Sequence, residues 1–287
     1  VDTLQKDLQG VLWTNPKEKV GNGKDDDHNG YADDIHGWDF LGGAGGKCDF
    51  NETEEEVREY QRLKGKYLTL TEATATDKKE LAYWNKVKME YDSTVTKARN
   101  ESNQLSPILN ALVETSGYVR HALKLNSNQT FTKADVERLQ AANDTLAEVK
   151  NLWMIAFSED VSTSTNVKVL KELSEYMTKL NNSLNPDLDA RKRIVGDDPD
   201  VLDHKSYGNN KLKFSDASHG TGVAGLVGAV RNNGYGIDGV ADNVRLMIIK
   251  AVPNGDEYDK DEVSAIHYAV DNGARVINMS FGKKISP

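Results

Sequence analysis

From Glu52 to Asn185 the chain carries only two glycines, Gly65 and Gly117, and one interior proline, Pro107, among abundant Lys, Glu, Leu and Ala. That composition suits helices and little else. Asp77-Lys78-Lys79-Glu80 reads as a cap opening a helix with Leu81, Trp84, Val87, Lys88 and Tyr91. Thr132-Lys133-Ala134-Asp135 reads as a capping box ahead of Val136, Leu139, Leu146, Val149 and Trp153. Thr165-Asn166 opens another helix, with Val169, Leu170, Leu173, Tyr176, Met177 and Leu180 on one face, ending before Asn185-Pro186. Pro107 is expected to divide the stretch before Thr130 or to kink it. Residues 48–193 are therefore predicted to form an all-α helical insertion, folded as an antiparallel bundle or helical hairpin.

The flanks, residues 1–47 and 194–287, have glycine-rich β/α character instead. Val244 to Val252 and Arg275 to Ser280 are continuous apolar runs, separated by the amphipathic stretch Glu262 to Asn272. Continuous runs suit strands covered on both faces, so the two are predicted to be adjacent parallel strands with a crossover helix between them. The fold class is thus α/β, a partial parallel sheet with flanking helices plus the helical insertion.

Ser218-His219-Gly220-Thr221-Gly222-Val223-Ala224-Gly225 places a histidine at the start of a helix made of small residues. Glycine at three of these positions lets neighbouring backbone approach closely, as a reacting centre requires. Ser215 and Asp216, in the polar turn before it, are expected to cap that helix. The octapeptide closely resembles the histidine block of subtilisin-like serine proteases. Gly239-Val240-Ala241 and the closing Val276-Ile277-Asn278-Met279-Ser280-Phe281-Gly282 resemble further segments of that family. The long insertion is similar to those of subtilisin-like proteases of Bacteroidetes.

The resemblance implies that His219 is the general base of a Ser-His-Asp triad. It implies that Ser280, Phe281 and Gly282 pair their backbone with an extended polypeptide substrate. Val1-Asp2-Thr3 resembles the segment just after the family's catalytic aspartate, which is then expected three residues before Val1. The nucleophilic serine and the oxyanion-hole asparagine are expected beyond Pro287. The chain is read as a fragment holding only the middle triad member, inactive alone. Two alternatives stand beside it: a non-catalytic relative that binds peptides, and a helical insertion that is itself a partner-binding module.

Asp25-Asp26-Asp27-His28-Asn29-Gly30 has the alternating carboxylates and the glycine turn that open a calcium loop. No glutamate closes such a loop at its twelfth position, where His36 stands, so Asp33 or Asp34 is expected to supply the later ligand. The Tyr31 carbonyl is a natural contributor. A second calcium site is implied by the resemblance alone. Its ligands are the Asp7 carboxylate, the Asn233 side chain and the carbonyls of Arg231, Tyr235 and Ile237. Zinc is not indicated, because no His/Cys pair has ligand spacing and Cys48 is the sole cysteine. His28, His36, His121, His204 and His267 read as surface or structural residues.

A net charge of −9 argues against nucleic acid and anionic membranes as partners. No run of about 18 apolar residues is present to span a bilayer. A secreted, periplasmic or cell-surface location is implied by the resemblance only. Asp256, Glu257, Asp259 and Asp261 occupy the loop that rims a substrate pocket in the family, which weakly implies a preference for basic residues there.

Overall fold

The computed structural model describes residues 1–70, 77–157, 164–202, 206–213 and 217–287. The expected caps Ser215 and Asp216, and His204, lie outside the described residues. Two compact units emerge: Val1–Arg62 with Asp187–Pro287, and Leu63–Pro186. Residues 48–62 and 187–193, helical or polar by composition, thus group with the first unit.

In the first unit, β1 (Gly37–Asp39) pairs in parallel with β2 (Ile248–Lys250), with Gly37, Trp38 and Asp39 opposite Ile248, Ile249 and Lys250. Residues 11 to 13 continue the same ladder, Leu246 N donating to Val11 O at 2.8 Å and Trp13 N to Leu246 O at 2.9 Å. Gly37 has φ +134, and a Cβ there would stand 1.8 Å from the Ile248 carbonyl oxygen. Only glycine lets β2 pass that close. Against the strands pack Trp38, Phe40 and Tyr268, with Tyr31 and Tyr207 meeting them edge to face. A second cluster joins Leu8, Val11, Ala224 and Ala229.

Two expectations fail here. The predicted strand Val244 to Val252 contracts to Ile248–Lys250, and its neighbour is β1 rather than Arg275 to Ser280. The latter segment forms no strand; Val276 is 87% exposed and Met279 47%. Its apolar sequence has strand propensity, but without a ladder partner that propensity is not realised. The expected helix does form, as Asp259–Asp271, but without a second strand after it the predicted crossover is not made.

The second unit is helical. Asp77 accepts hydrogen bonds from Lys79 N and Glu80 N and opens a helix, Lys78–Ala122, of 45 residues. It runs through Pro107 as one helix, so of the expected division or kink the division does not occur. Proline removes a single backbone donor, a loss that a long, packed helix absorbs. The Thr132 capping box forms as expected, but its helix stops at Arg138. Leu139 turns extended and Asn143 caps a separate helix, Asp144–Ala156. Thr165 caps Asn166–Leu184. The 45-residue helix packs on both of the latter two.

The core of this unit is Leu112, Val119, Phe131, Val136, Val149, Trp153, Phe157 and Val169. Phe131 and Trp153 meet edge to face at 4.8 Å. Asn166, fully buried, exchanges two bonds of 2.9 Å with the Phe131 backbone, which locks the two capped turns together.

Candidate active site and cation-binding loops

His219 lies in the first turn of α7 (Ser218–Gly228) and its side chain is exposed. Of the block's own glycines only Gly220 is closely approached, a Cβ there meeting Val1 N at 3.2 Å. Gly222 has nothing within 4 Å and Gly225 only ordinary contact at 3.6 Å, so the tightest approaches fall at glycines outside the block. A Cβ on Gly228 would stand 2.5 Å from Val244 Cγ2, and one on Gly239 2.4 Å from the Ala229 nitrogen. The Gly239–Ala241 segment is thereby brought onto the end of α7. Val240 N and Ala241 N donate to the Leu226 and Val227 carbonyls at 3.0 and 2.9 Å, satisfying groups the helix end leaves unpaired. At the other end Val1 and Asp2 lie across the first turn. Asp2 N donates to Thr221 Oγ1 at 2.7 Å, and Gly220 leaves room for Val1.

Ser280, Phe281 and Gly282 fall in the run without a ladder; Ser280 Oγ accepts from Asn278 Nδ2 at 3.0 Å. Residues 275–280 are exposed.

In the 18–34 loop the structure brings Glu18, Asp25 and Asp27 together, with one carboxylate oxygen from each within 4.8 Å of the others. Asn29 sits beside them, its N–H 3.1 Å from both Asp25 Oδ1 and Asp27 Oδ1, while its Oδ1 accepts from Tyr31 N. Asp33 and Asp34 do not join this group. Asp33 accepts from Asn22 N and Gly23 N, and Asp34 is buried against Asn15, Asn29 and Tyr268. Burial raises the Asp34 carboxyl above its ordinary value, against the bonds from Tyr268, Asn15 and Asn29. The third carboxylate near Asp25 and Asp27 is Glu18 rather than Asp33 or Asp34. It is seven residues before Asp25, outside any local ligand pattern, and no sequence signal pointed to it.

Asp7 and the 231–237 loop also meet, across more than two hundred residues. Asn233 Nδ2 donates to Asp7 Oδ1 at 2.7 Å and Ile237 N to Asp7 Oδ2 at 2.8 Å, while Tyr235 N donates to Asn233 Oδ1 at 2.9 Å. Gly236, at φ +61, passes so near that a Cβ would lie 1.9 Å from Asp7 Oδ2. Arg231 turns its side chain away to Asp242. The Glu18, Asp25 and Asp27 oxygens are the donor type a hard divalent cation such as calcium takes, whereas both Asp7 oxygens are occupied by N–H donors and Asn233 turns its Nδ2 towards them.

The acidic residues of the 256–261 loop are not a solvated rim. Asp261 is fully buried, with both oxygens taken by Arg191 at 2.6 Å and one also by the Tyr207 hydroxyl. Asp256 and Glu257 offer their carbonyls to Arg58. Asp256 Oδ2 accepts from Glu55 N at 2.8 Å, Asp259 pairs with Lys283 and Glu257 is buried, so the implied preference for basic residues loses its basis.

On the long helix, Met89, Ile108, Val113 and Tyr118 are exposed, but their spacing scatters them round the axis rather than along one stripe. No described helix is long and apolar enough to cross a membrane.

A model of the subtilase family matches residues 125–287. The chain is 25% identical over 219 residues to a cell wall-associated protease of Bacillus subtilis strain 168, covering 73% of this chain and 24% of that protein. It is 47% identical over 66 residues to a thermophilic serine proteinase of Bacillus sp. strain AK1, covering 23% of this chain and 16% of that one. It is 35% identical over 75 residues to thermitase of Thermoactinomyces vulgaris, covering 26% and 27%. The chain thus spans about a quarter or less of the length of these relatives. No solved structure matches it.

Proposed function

Because this chain belongs to the subtilase family, we propose that it carries the general-base histidine of a subtilisin-like serine endopeptidase. His219 takes the proton of the nucleophilic serine and returns it to the leaving amine, while a carboxylate fixes its tautomer. The serine and that carboxylate are the other two members of such a triad. The observation that carries this reading is the exposed first turn of α7, with Val1 and Asp2 lying across it.

Ser280, Phe281 and Gly282 bind the extended substrate through their backbone, consistent with a run that is open rather than paired. Calcium holds the Asp7–Asn233 closure and orders the Glu18–Asp25–Asp27 loop, with Asn29 in the same set. A bound ion there neutralises clustered carboxylates and cross-links segments; it takes no part in the chemistry. Residues 48–193 form an insertion within the protease domain. The protein is secreted or held at the cell surface; relatives described as cell wall-associated and extracellular support this.

His219→Ala in the full-length protein should lower turnover on the order of 10⁴-fold or more. Near-normal turnover in that variant would remove His219 from the triad.

A further inference from the structure

We infer that Lys283 is a positioning residue for the substrate-pairing edge Ser280–Gly282, clamping the chain just beyond that edge between two helix starts. The inference rests on the protease reading above and assigns it a part that the subtilisin-type motifs do not contain.

Residues 275–282 have no ladder to hold their course, so that course is set from the two ends. At the upstream end the chain leaves Asp259–Asp271 through Gly273 N and Ala274 N, which donate to Val270 O and Ala269 O. At the downstream end stands Lys283, its side chain 6% exposed. Its ammonium meets the Glu55 carboxylate at 2.9 Å, the Glu257 carbonyl at 3.1 Å and the Asp259 carboxylate. Three acceptors match its three hydrogens. Ile285, 1% exposed, and a Ser286 hydroxyl bond to Asp259 at 3.0 Å complete the anchor.

The two carboxylates are themselves fixed. Glu55 lies in the first turn of α1 (Glu55–Tyr67) and Asp259 in the first turn of α8 (Asp259–Asp271), where the helix dipole favours an acid. Glu55 also accepts from Arg58 at 2.7 Å, and its own N–H donates to Asp256 at 2.8 Å. Burial alone would depress the Lys283 ammonium, yet Asp259 and Glu55 raise it above its ordinary value, so the clamp stays charged. Gly282 is one peptide unit, about 3.8 Å, from this anchor. Release of Lys283 lets Gly282 and Phe281 move, and with them the donors and acceptors that an extended peptide must meet.

In the full-length protein, Lys283→Met should raise KM for an extended peptide on the order of tenfold, with kcat altered by less than about threefold. Lys283→Arg keeps the charge and should recover most of the loss. Glu55→Gln keeps the side-chain shape and should raise KM in the same direction, which serves if Lys283→Met does not fold. An active wild type with KM unchanged in the folded Met or Gln variant overturns the clamp alone. Equal proportional losses in kcat and kcat/KM overturn it too, since they indicate general damage. A full-length wild type that hydrolyses no peptide overturns the protease reading and the clamp with it.

Discussion

The two units of this chain are held together by different means. In Leu63–Pro186 the interior is aromatic and aliphatic, with Trp153, Phe131 and Phe157 fully buried and Asn166 as the main buried polar group. In the other unit the largest buried side chains include Arg191 and Glu56 beside Tyr268, Phe40 and Leu8. Arg191 alone binds both oxygens of Asp261 and both of Asp197, at 2.6 to 2.9 Å. Lys250 lies buried against Asp39 at 2.8 Å, and burial lifts the Asp39 carboxyl to about 6 despite that lysine. An apolar core tolerates partial loss, because each contact is small. A buried ionic network does not, since removing one partner strands the other's charge.

That contrast sets the largest expected effect. Arg191→Met leaves the buried Asp261 without its counter-charge and Asp197 with Lys260 alone, at 3.2 Å, and should cost about 3–5 kcal/mol, read by urea unfolding. A neutral or stabilising result would show that the network is replaceable by apolar packing and would erase the comparison. Trp153→Ala should cost nearly as much, about 3–4 kcal/mol, through a cavity. Its cost should be the same at pH 5 and pH 8, whereas that of Arg191→Met should shrink at acid pH as the stranded carboxylates take up protons.

Calcium tests the closure of the first unit. At about 100 times its dissociation constant, an ion bound only by the folded state adds roughly 2.7 kcal/mol. A chelator should lower the melting temperature, and Asp7→Ala should blunt that response more than Asp27→Ala, because Asp27 ties only its own loop. A melting temperature indifferent to millimolar calcium would remove both sites.

The carboxyl pair Asp49 and Glu52 gives a smaller, pH-dependent signal. Asp49 Oδ2 and Glu52 Oε1 are buried with no donor, so one carboxyl must keep its proton for the other to accept. Burial, then the neighbouring Asp49, raises Glu52 from 4.5 to about 8, and burial raises Asp49 as well. The folded state therefore holds a proton that the unfolded chain releases. Its stabilising contribution is full below pH 4.5 and is lost as pH climbs through 8. Glu52→Gln should flatten that decline, measured as unfolding free energy from pH 5 to 9; an unchanged slope would assign it to other groups. Smallest is Thr132→Ala in the helical unit, about 1 kcal/mol for a lost cap.

The same contrast explains what the sequence could reveal. Asp77, Thr132 and Thr165 act within three residues of themselves, so their caps were legible. The break at Leu139 and the passage through Pro107 were not, because packing against distant helices decides them. Asp25, Asp27 and Asn29 were legible as a group by alternation; Glu18 was not, since only the loop's path brings it in. Asp256, Glu257 and Asp261 looked like solvated charges because Arg58 and Arg191 lie some 70 to 200 residues away. Arg275 to Ser280 read as a strand from its residue types, but a strand exists only with a neighbour.

The meeting of Asp7 with Asn233, and of Leu12 with Leu246, fixes an order of assembly. On the ribosome, Leu63–Pro186 is complete and able to pack while the unit it interrupts in sequence still lacks its second half. Closing that unit then requires two chain segments to find each other across an intervening segment already folded. Prior compaction of that intervening segment shortens the effective loop, so closure is faster than the sequence separation suggests. A destabilised helical unit should therefore slow maturation of the whole protein even where every residue near His219 is intact.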